Sequence, residues 1–299
     1  MVADVPDETS EVAVLDRVRI HPPRTSMIGP REWVRVVESR TRVRNTGQSP
    51  ARSPPSAYAR PVLRITDART NRPVDAVLAR RGLTRVEAHV RGYDISALRV
   101  LLVADLLVRA LEIGGTPVWA LLTGDREQAE LHAGAAALGI RPFEDRRDVG
   151  PGWGESQVVH VVGEGGAAPD GVRVAVAPVE TPDIPEGADP AVVRLALLVP
   201  PRSTPARLDE AILREAHDTL VRWRRAVAAW ARHPSRPVPD KVRGRLRTAW
   251  EDDLDVPEVL RVLRWVEESD LPEGARFETY AHADRLLGLD LTRDLGSPA

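Results

Sequence analysis

None of the 299 residues is cysteine. Disulfides, thiolate nucleophiles, Cys-ligated zinc and iron–sulfur clusters are therefore excluded. Any metal would have to be held by histidine and carboxylates. The seven histidines, His21, His89, His132, His160, His217, His233 and His282, show no metal-like spacing such as HxxxH. No metal site is expected from them. Lysine is nearly absent: of 42 basic residues only Lys241 is lysine and the rest are arginine. Such a ratio suits GC-rich codon usage better than selection for phosphate binding. With a formal net charge of −2 the chain is no polycation, so nucleic-acid binding would need a local patch. No run approaches the ~20 apolar residues that span a bilayer. The start, MVADVPDETSE, lacks the cationic and apolar regions of a signal peptide. A soluble, cytoplasmic protein without membrane partners is expected.

What is present reads as three stretches. Residues 1–60 mix charge with Pro and Ser, and NTGQSPARSPPSAYARP reads as a flexible linker. Residues 1–57 are expected to be mostly disordered, apart from REWVRVVESRTRV (31–43), a β-branched run that reads as a short strand or a helical turn. Residues 61–190 carry an α/β pattern. Val86–Val90 reads as a strand, then ISALRVLLVADLLVRALEIGG as a buried helix of about 17 residues ending at Gly114 and Gly115. PVWALL (117–122) is a second strand and REQAELHAGAAALGI a second helix, which suggests a parallel sheet with right-handed crossovers. Gln157–Val162 and Val172–Val176 are further strand-like runs.

Residues 191–299 read as a helical bundle. AVVRLALLV (191–199) comes first. From Thr204 a long helix places Leu208, Ile212, Ala216, Leu220, Trp223, Val227 and Trp230 at spacings of 4, 4, 4, 3, 4 and 3, the mark of one buried face. Helices around Lys241–Trp250, Pro257–Glu268 and Glu278–Leu287 follow.

Few local patterns carry chemistry. The helix entry at Asp94–Ser96 is a natural crevice, since helix N-termini and the carboxyl ends of parallel strands converge there. Capping of the helix by Asp94 or Ser96 is the simpler reading. Asp252, Asp253 and Asp255 precede Pro257 and read as a dipole-complementing helix start rather than a carboxylate site. Arg222, Arg224, Arg225, Arg232 and Arg236 form the densest basic patch, a candidate phosphate or tRNA contact. Glu210, Glu215 and Asp218 on the same helix favour a solvated, ion-paired face. Trp223, Trp230, Trp250 and Trp265 read as core, and Asp105 with Arg109 as an i,i+4 pair. GWGES (152–156) and GEGG (163–166) lack the strand-to-helix context of a phosphate loop or nucleophile elbow.

Four segments, in collinear order and covering roughly half the chain, resemble the class I cysteinyl-tRNA synthetases and their relative, the cysteine ligase of mycothiol biosynthesis. These are LRITDARTNRPV (63–74), VEAHVRGYDISALRVLLVADLLVRALEIGGTPV (86–118), VVRLALLVPPRSTPARLDEAILREAHDTLVRWRRAV (192–227), and LRTAWEDDLDVPEVLRVLRWVEE (246–268) with LLGLDL (286–291). The resemblance implies a shortened Rossmann-like core, 61–190, followed by an all-α bundle, 191–299. It also implies an ATP crevice around Gly92, Tyr93, Asp94 and Ser96.

The departures bear on function. The family's His-Ile-Gly-His signature stabilises charge on the ATP α-phosphate. Its best match here is Asp94-Ile95-Ser96-Ala97-Leu98-Arg99, with both histidines gone and an acid in the first position. The family's lysine loop for the leaving pyrophosphate cannot form, because Lys241 lies in the helical half. The family's first zinc-binding Cys falls at Arg91, whose guanidinium has no lone pair for a metal. Residues 124–190 are too short for the family's inserted domain and its remaining zinc ligands. The expectation is a degenerate family member, with no catalytic residue assignable and zinc not expected, that has lost ligase activity and acts by binding. Two alternatives stand beside it: an ATP-dependent adenylate-forming ligase of altered specificity, and a tRNA- or protein-docking module working through the bundle.

Overall fold

The structure, a computed structural model, describes residues 63–77, 83–124, 126–146, 157–181 and 187–296. The sequence readings for 1–60 and for GWGES lie outside these residues. The described residues fall in one compact unit.

The chain enters through an antiparallel hairpin, β1 (Arg64–Asp67) and β2 (Arg72–Asp75), turned by Asn71 at φ 52°. Asn is among the few residues that tolerate this left-handed conformation. A five-stranded sheet follows, built from β3 (Thr84–Val90), β4 (Val118–Gly124), β5 (Glu144–Asp145), β6 (Gln157–Gly163) and β7 (Val172–Val176). Its order is β5-β4-β3-β6-β7 and all its pairings are parallel. The chain steps from β3 outward to β4 and later returns to β3's other side with β6. The β3/β6 boundary is thus the topological switch point where α/β sheets bind ligands.

Strand alternation sorts the sheet's two faces. Val86, Ala88 and Val90 point to the apolar face, which packs under α1 (Ile95–Ile113). Glu87 and His89 point to the opposite face. Helix α2 (Gln128–Ala137) joins β4 to β5 and packs on α1. Helix α1 is apolar nearly all round because sheet, α2 and bundle surround it; even its Arg99 and Asp105 are each 1% exposed. The Arg99 guanidinium donates to the carbonyls of Ala177 (2.8 Å), Thr204 (2.8 Å) and Pro201 (3.0 Å), pinning two loops to the helix. Burial pulls its pKa down to about 10.

The bundle comprises α3 (Pro190–Leu198), α4 (Glu210–Trp230), α5 (Asp240–Glu251), α6 (Val256–Glu268) and α7 (Glu273–Leu287). The Rossmann-like parallel core followed by an all-α bundle is the architecture expected from the sequence. Most element ends lie within about three residues of the sequence reading, and two helix starts in the bundle differ by more. Helix α4 starts at Glu210 rather than Thr204, because Asp209 caps it by accepting from the Ile212 N–H at 3.0 Å, and Leu208 reaches the core from the preceding turn. Helix α7 starts five residues earlier than its apolar stripe, after Pro272.

Trp223, Trp230 and Trp250 are core, as expected; Trp223 and Trp230 meet the Tyr280 ring edge-on at 5.7 and 5.2 Å. Trp265 is 40% exposed instead, lying under the Arg245 guanidinium. It falls outside the α6 core stripe of Val259, Val262, Leu263 and Val266. Asp255 caps α6 through the Glu258 N–H at 2.9 Å. Asp253 accepts from the Thr66 N–H at 2.7 Å and pairs with Arg202, tying the hairpin to the bundle. Among the described residues no helix is long and apolar enough to cross a membrane.

Candidate functional site

At the carboxyl ends of β3 and β6 a crevice of about 360 Å³ is lined by His89, Val90, Arg91, Gly92, Asp94, Ser96, Gly163, Glu164 and Gly166, among others. Its volume falls within the range of small-molecule sites. It lies at the switch point and meets the N-terminus of α1.

Three of the four residues singled out from sequence, Gly92, Asp94 and Ser96, line it. Tyr93 does not. Its ring turns outward, and a Cβ on Gly134 of α2 would come within 2.8 Å of it. Glycine at position 134 therefore makes the room for the ring.

The polar groups at this helix entry are already engaged. The Asp94 carboxylate accepts from the Ala97 N–H at 2.6 Å, and the Glu127 carboxylate accepts from the Tyr93 N–H at 2.8 Å. The Val179 N–H donates to the Ser96 hydroxyl at 2.9 Å. Two backbone donors that could have met a phosphate are thus held by carboxylates. Glu164, exposed on the opposite lip, adds a third acid near the crevice, against the exposed cation of Arg91.

GEGG forms that opposite lip. It is a tight turn after β6, closed by the Gly166 N–H to the Gly163 carbonyl at 2.8 Å. Gly165 sits at φ 69° and a Cβ on Gly166 would strike the Gly163 oxygen, so the turn requires both glycines. The sequence reading set this segment aside for lack of a following helix, yet it is part of the wall.

The resemblance implies that the family's first zinc-binding Cys falls at position 91. Arg91 stands there, exposed and cationic.

Beside the crevice, on the sheet face opposite α1, the fold brings together residues that the linear spacing kept apart. Glu87 and His160 are direct partners in the β3/β6 ladder, and His89 lies two residues beyond Glu87 on the same face. His89 Nε2 and His160 Nδ1 are 2.8 Å apart, and Glu87 Oε2 is 4.0 Å from His160 Nδ1. The Thr123 hydroxyl donates to Glu87 Oε1 at 2.7 Å, and Arg146 Nε lies 3.6 Å from the same oxygen. Glu87 and His160 are buried and His89 is half-buried. Desolvation lowers both histidine pKa values from 6.5, opposed by the nearby Glu87 charge. Sequence reasoning looked for histidines on one helix. The available signal was alternation along two strands that pair in parallel.

The basic patch does not stay together. Arg222 pairs with Glu267 at 2.9 Å. Arg224 is buried and donates to the carbonyls of Asp290 (3.1 Å) and Leu289 (2.8 Å). Arg225, Arg232 and Arg236 are exposed. The Asp105–Arg109 pair forms at 2.8 Å, and Arg141 and Arg194 join the same carboxylate.

Sheet, crevice and bundle together define a Rossmann-like protein with a helical bundle appended. Its curated relatives are ligases. The chain is 36% identical over 111 residues to the L-cysteine:1D-myo-inositol 2-amino-2-deoxy-alpha-D-glucopyranoside ligase of Segniliparus rotundus, a match covering 36% of this chain and 26% of the relative. The ligase of the same name from Streptomyces griseus matches to the same extent, and that from Gordonia bronchialis is 40% identical over 75 residues, 25% of this chain and 17% of the relative. The matched part spans about a quarter of the length of the first two relatives. No family model matches the chain.

Proposed function

We propose that this chain keeps the scaffold of these ligases without their adenylate-forming chemistry and acts by binding a small, amine-bearing molecule in the crevice at the start of α1. The observation that carries this reading is the Asp94 carboxylate seated on the Ala97 N–H. A helix N-terminus favours anions through its free donors and its dipole. Here the protein supplies its own anion, and a triphosphate entering the crevice would meet Asp94, Glu164 and Glu127 with Arg91 as the cation among its lining residues. An ammonium group meets the opposite situation, since those acids attract it. Both reactants in the relatives' printed name, L-cysteine and an amino-deoxy sugar, carry an amine.

The test has two arms on the purified protein. Pyrophosphate exchange with ATP, run across the amino acids, is expected to show no turnover. Thermal unfolding is expected to rise with free amino acids or amino sugars and not with their N-acetylated forms, because a ligand that binds only the folded state stabilises it by mass action. Exchange with any amino acid, or micromolar ATP binding by calorimetry, would replace this reading with that of an adenylate-forming ligase of altered specificity.

A further inference from the structure

We propose that Glu87, His89 and His160 form a binding site for one divalent transition-metal ion of the zinc class, built from residues other than the one at the position of the resembling family's first zinc ligand. The ligand atoms of these three residues all lie within 4.8 Å of one another. Around a tetrahedral ion with bonds of about 2.0–2.1 Å, ligand atoms sit roughly 3.3 Å apart. The 2.8 Å between the two imidazole nitrogens and the 4.0 Å from His160 Nδ1 to the carboxylate straddle that spacing. The third pair, Glu87 to His89, lies within 4.8 Å, so side-chain rotations that move the ligand atoms by about 1 Å bring the set onto an ion.

The surroundings orient the donors. His160 hydrogen-bonds the Asp170 backbone, and its Nε2 edge lies against Gly171, where a Cβ would come within 3.1 Å of that nitrogen. With its proton on Nε2, the ring turns the Nδ1 lone pair into the cluster. Thr123 holds Glu87 Oε1 and leaves Oε2 facing His160. Metal-binding histidines and carboxylates typically have their outer atoms fixed in this way.

Without metal, the 2.8 Å contact requires His89 Nε2–H to donate to His160 Nδ1. With metal, the His89 proton moves to Nδ1 and Nε2 becomes a ligand, so the ion replaces a shared proton without net ionisation. Two imidazoles and one carboxylate select zinc-class ions over magnesium or calcium, which prefer all-oxygen sets. Three protein ligands leave a fourth position for water or a lone-pair donor, the pattern of reactive rather than purely structural zinc. Arg85, Arg146 and Arg173 stand near the cluster, so binding rests on coordination by the imidazoles rather than on negative charge.

The test is titration of the tag-free, metal-stripped chain with Co²⁺, a coloured stand-in for zinc, followed by displacement with Zn²⁺. The expected result is one Co²⁺ per chain, with the intense visible bands of a four-coordinate ion that Zn²⁺ abolishes. His89→Ala, at the half-buried position, should fold normally and weaken binding by more than about 100-fold, beyond the 10–100-fold loss typical of residues that only orient a ligand. Zn²⁺ should raise the unfolding midpoint of the wild type and not of His89→Ala. Absence of stoichiometric binding in the wild type, or unchanged binding in His89→Ala, overturns the proposal. His89 also lines the crevice, so the titration is run without amine or nucleotide, and its outcome is then independent of the crevice ligand and of ATP exchange.

Discussion

The carboxylate of Asp94 closes the first turn of α1 by accepting the Ala97 N–H at 2.6 Å. The same carboxylate caps the helix and lines the crevice. Replacing Asp94 with Ala should cost about 1 kcal/mol, the usual loss on removing a helix cap, read as a lower urea midpoint. It should also strengthen binding of pyrophosphate and ATP, since an anion leaves and a backbone donor is freed. Calorimetry on the variant decides the point: unchanged or weaker anion binding would show that Asp94 caps the helix without guarding the crevice.

Asp105 anchors the junction between core and bundle. One carboxylate, 1% exposed, receives Arg109 at 2.8 Å, Arg141 at 2.9 Å and Arg194 at 3.2 Å. Arg194 also donates to the carbonyls of Leu287 (2.7 Å) and Leu138 (2.9 Å), so α3 is fastened to the ends of both α2 and α7. Asp105→Asn leaves the fully buried Arg194 without its ion-paired carboxylate, with only the more distant Asp284 charge remaining. A loss of about 3–5 kcal/mol is expected, as for other broken buried ion pairs. A shift below about 1 kcal/mol in denaturant unfolding would mean that the carbonyl bonds alone hold Arg194.

Much of this architecture was legible because local patterns agreed with it. The apolar runs of β3, β4, β6 and β7, the surrounded helix α1 and the α4 stripe all follow from periodicity. The Asp94 cap and the Asp105–Arg109 pair are local in sequence and could be read directly. What could not be read depended on strand order. His89 and His160 are 71 residues apart and meet only because β6 returns to β3's free edge. Arg224 looked like part of a surface cluster, but a helix turns about 100° per residue, which sends Arg222 and Arg225 outward and Arg224 toward the carbonyls after α7. Trp265 reads as core by residue type, but its position lies off the apolar stripe of α6.

His282 provides a pH dependence away from the candidate metal cluster. It is half-buried in α7 with its ring centroid 5.4 Å from that of Trp250. Burial, with smaller contributions from Arg285 and Arg243, lowers its pKa below 6.5. The unfolded chain therefore binds the proton more readily than the folded one. The stability His282 contributes is complete above about pH 6.5 and declines as the pH falls from there through its lowered folded value. His282→Phe keeps a ring against Trp250 and removes the titration. Urea midpoints from pH 7.5 to pH 5 should fall less steeply for the variant than for the wild type; identical slopes would place the acid sensitivity elsewhere.

The end of α4 sets a limit on the nucleic-acid role of the basic patch around it. Arg222 is committed to Glu267, and Arg224 is buried among backbone carbonyls. Arg225, Arg232 and Arg236 are left exposed to meet phosphate. Each phosphate neutralised contributes about 0.7–0.9 to the slope of log affinity against log salt, so this patch can supply a slope of roughly −2 to −3. Transfer RNA held here should therefore bind weakly, with a shallow salt dependence, and Arg225→Glu with Arg232→Glu should remove most of it. Filter binding between low and physiological salt measures this directly. A slope steeper than about −5, or binding that survives the double substitution, would require a basic surface other than this one.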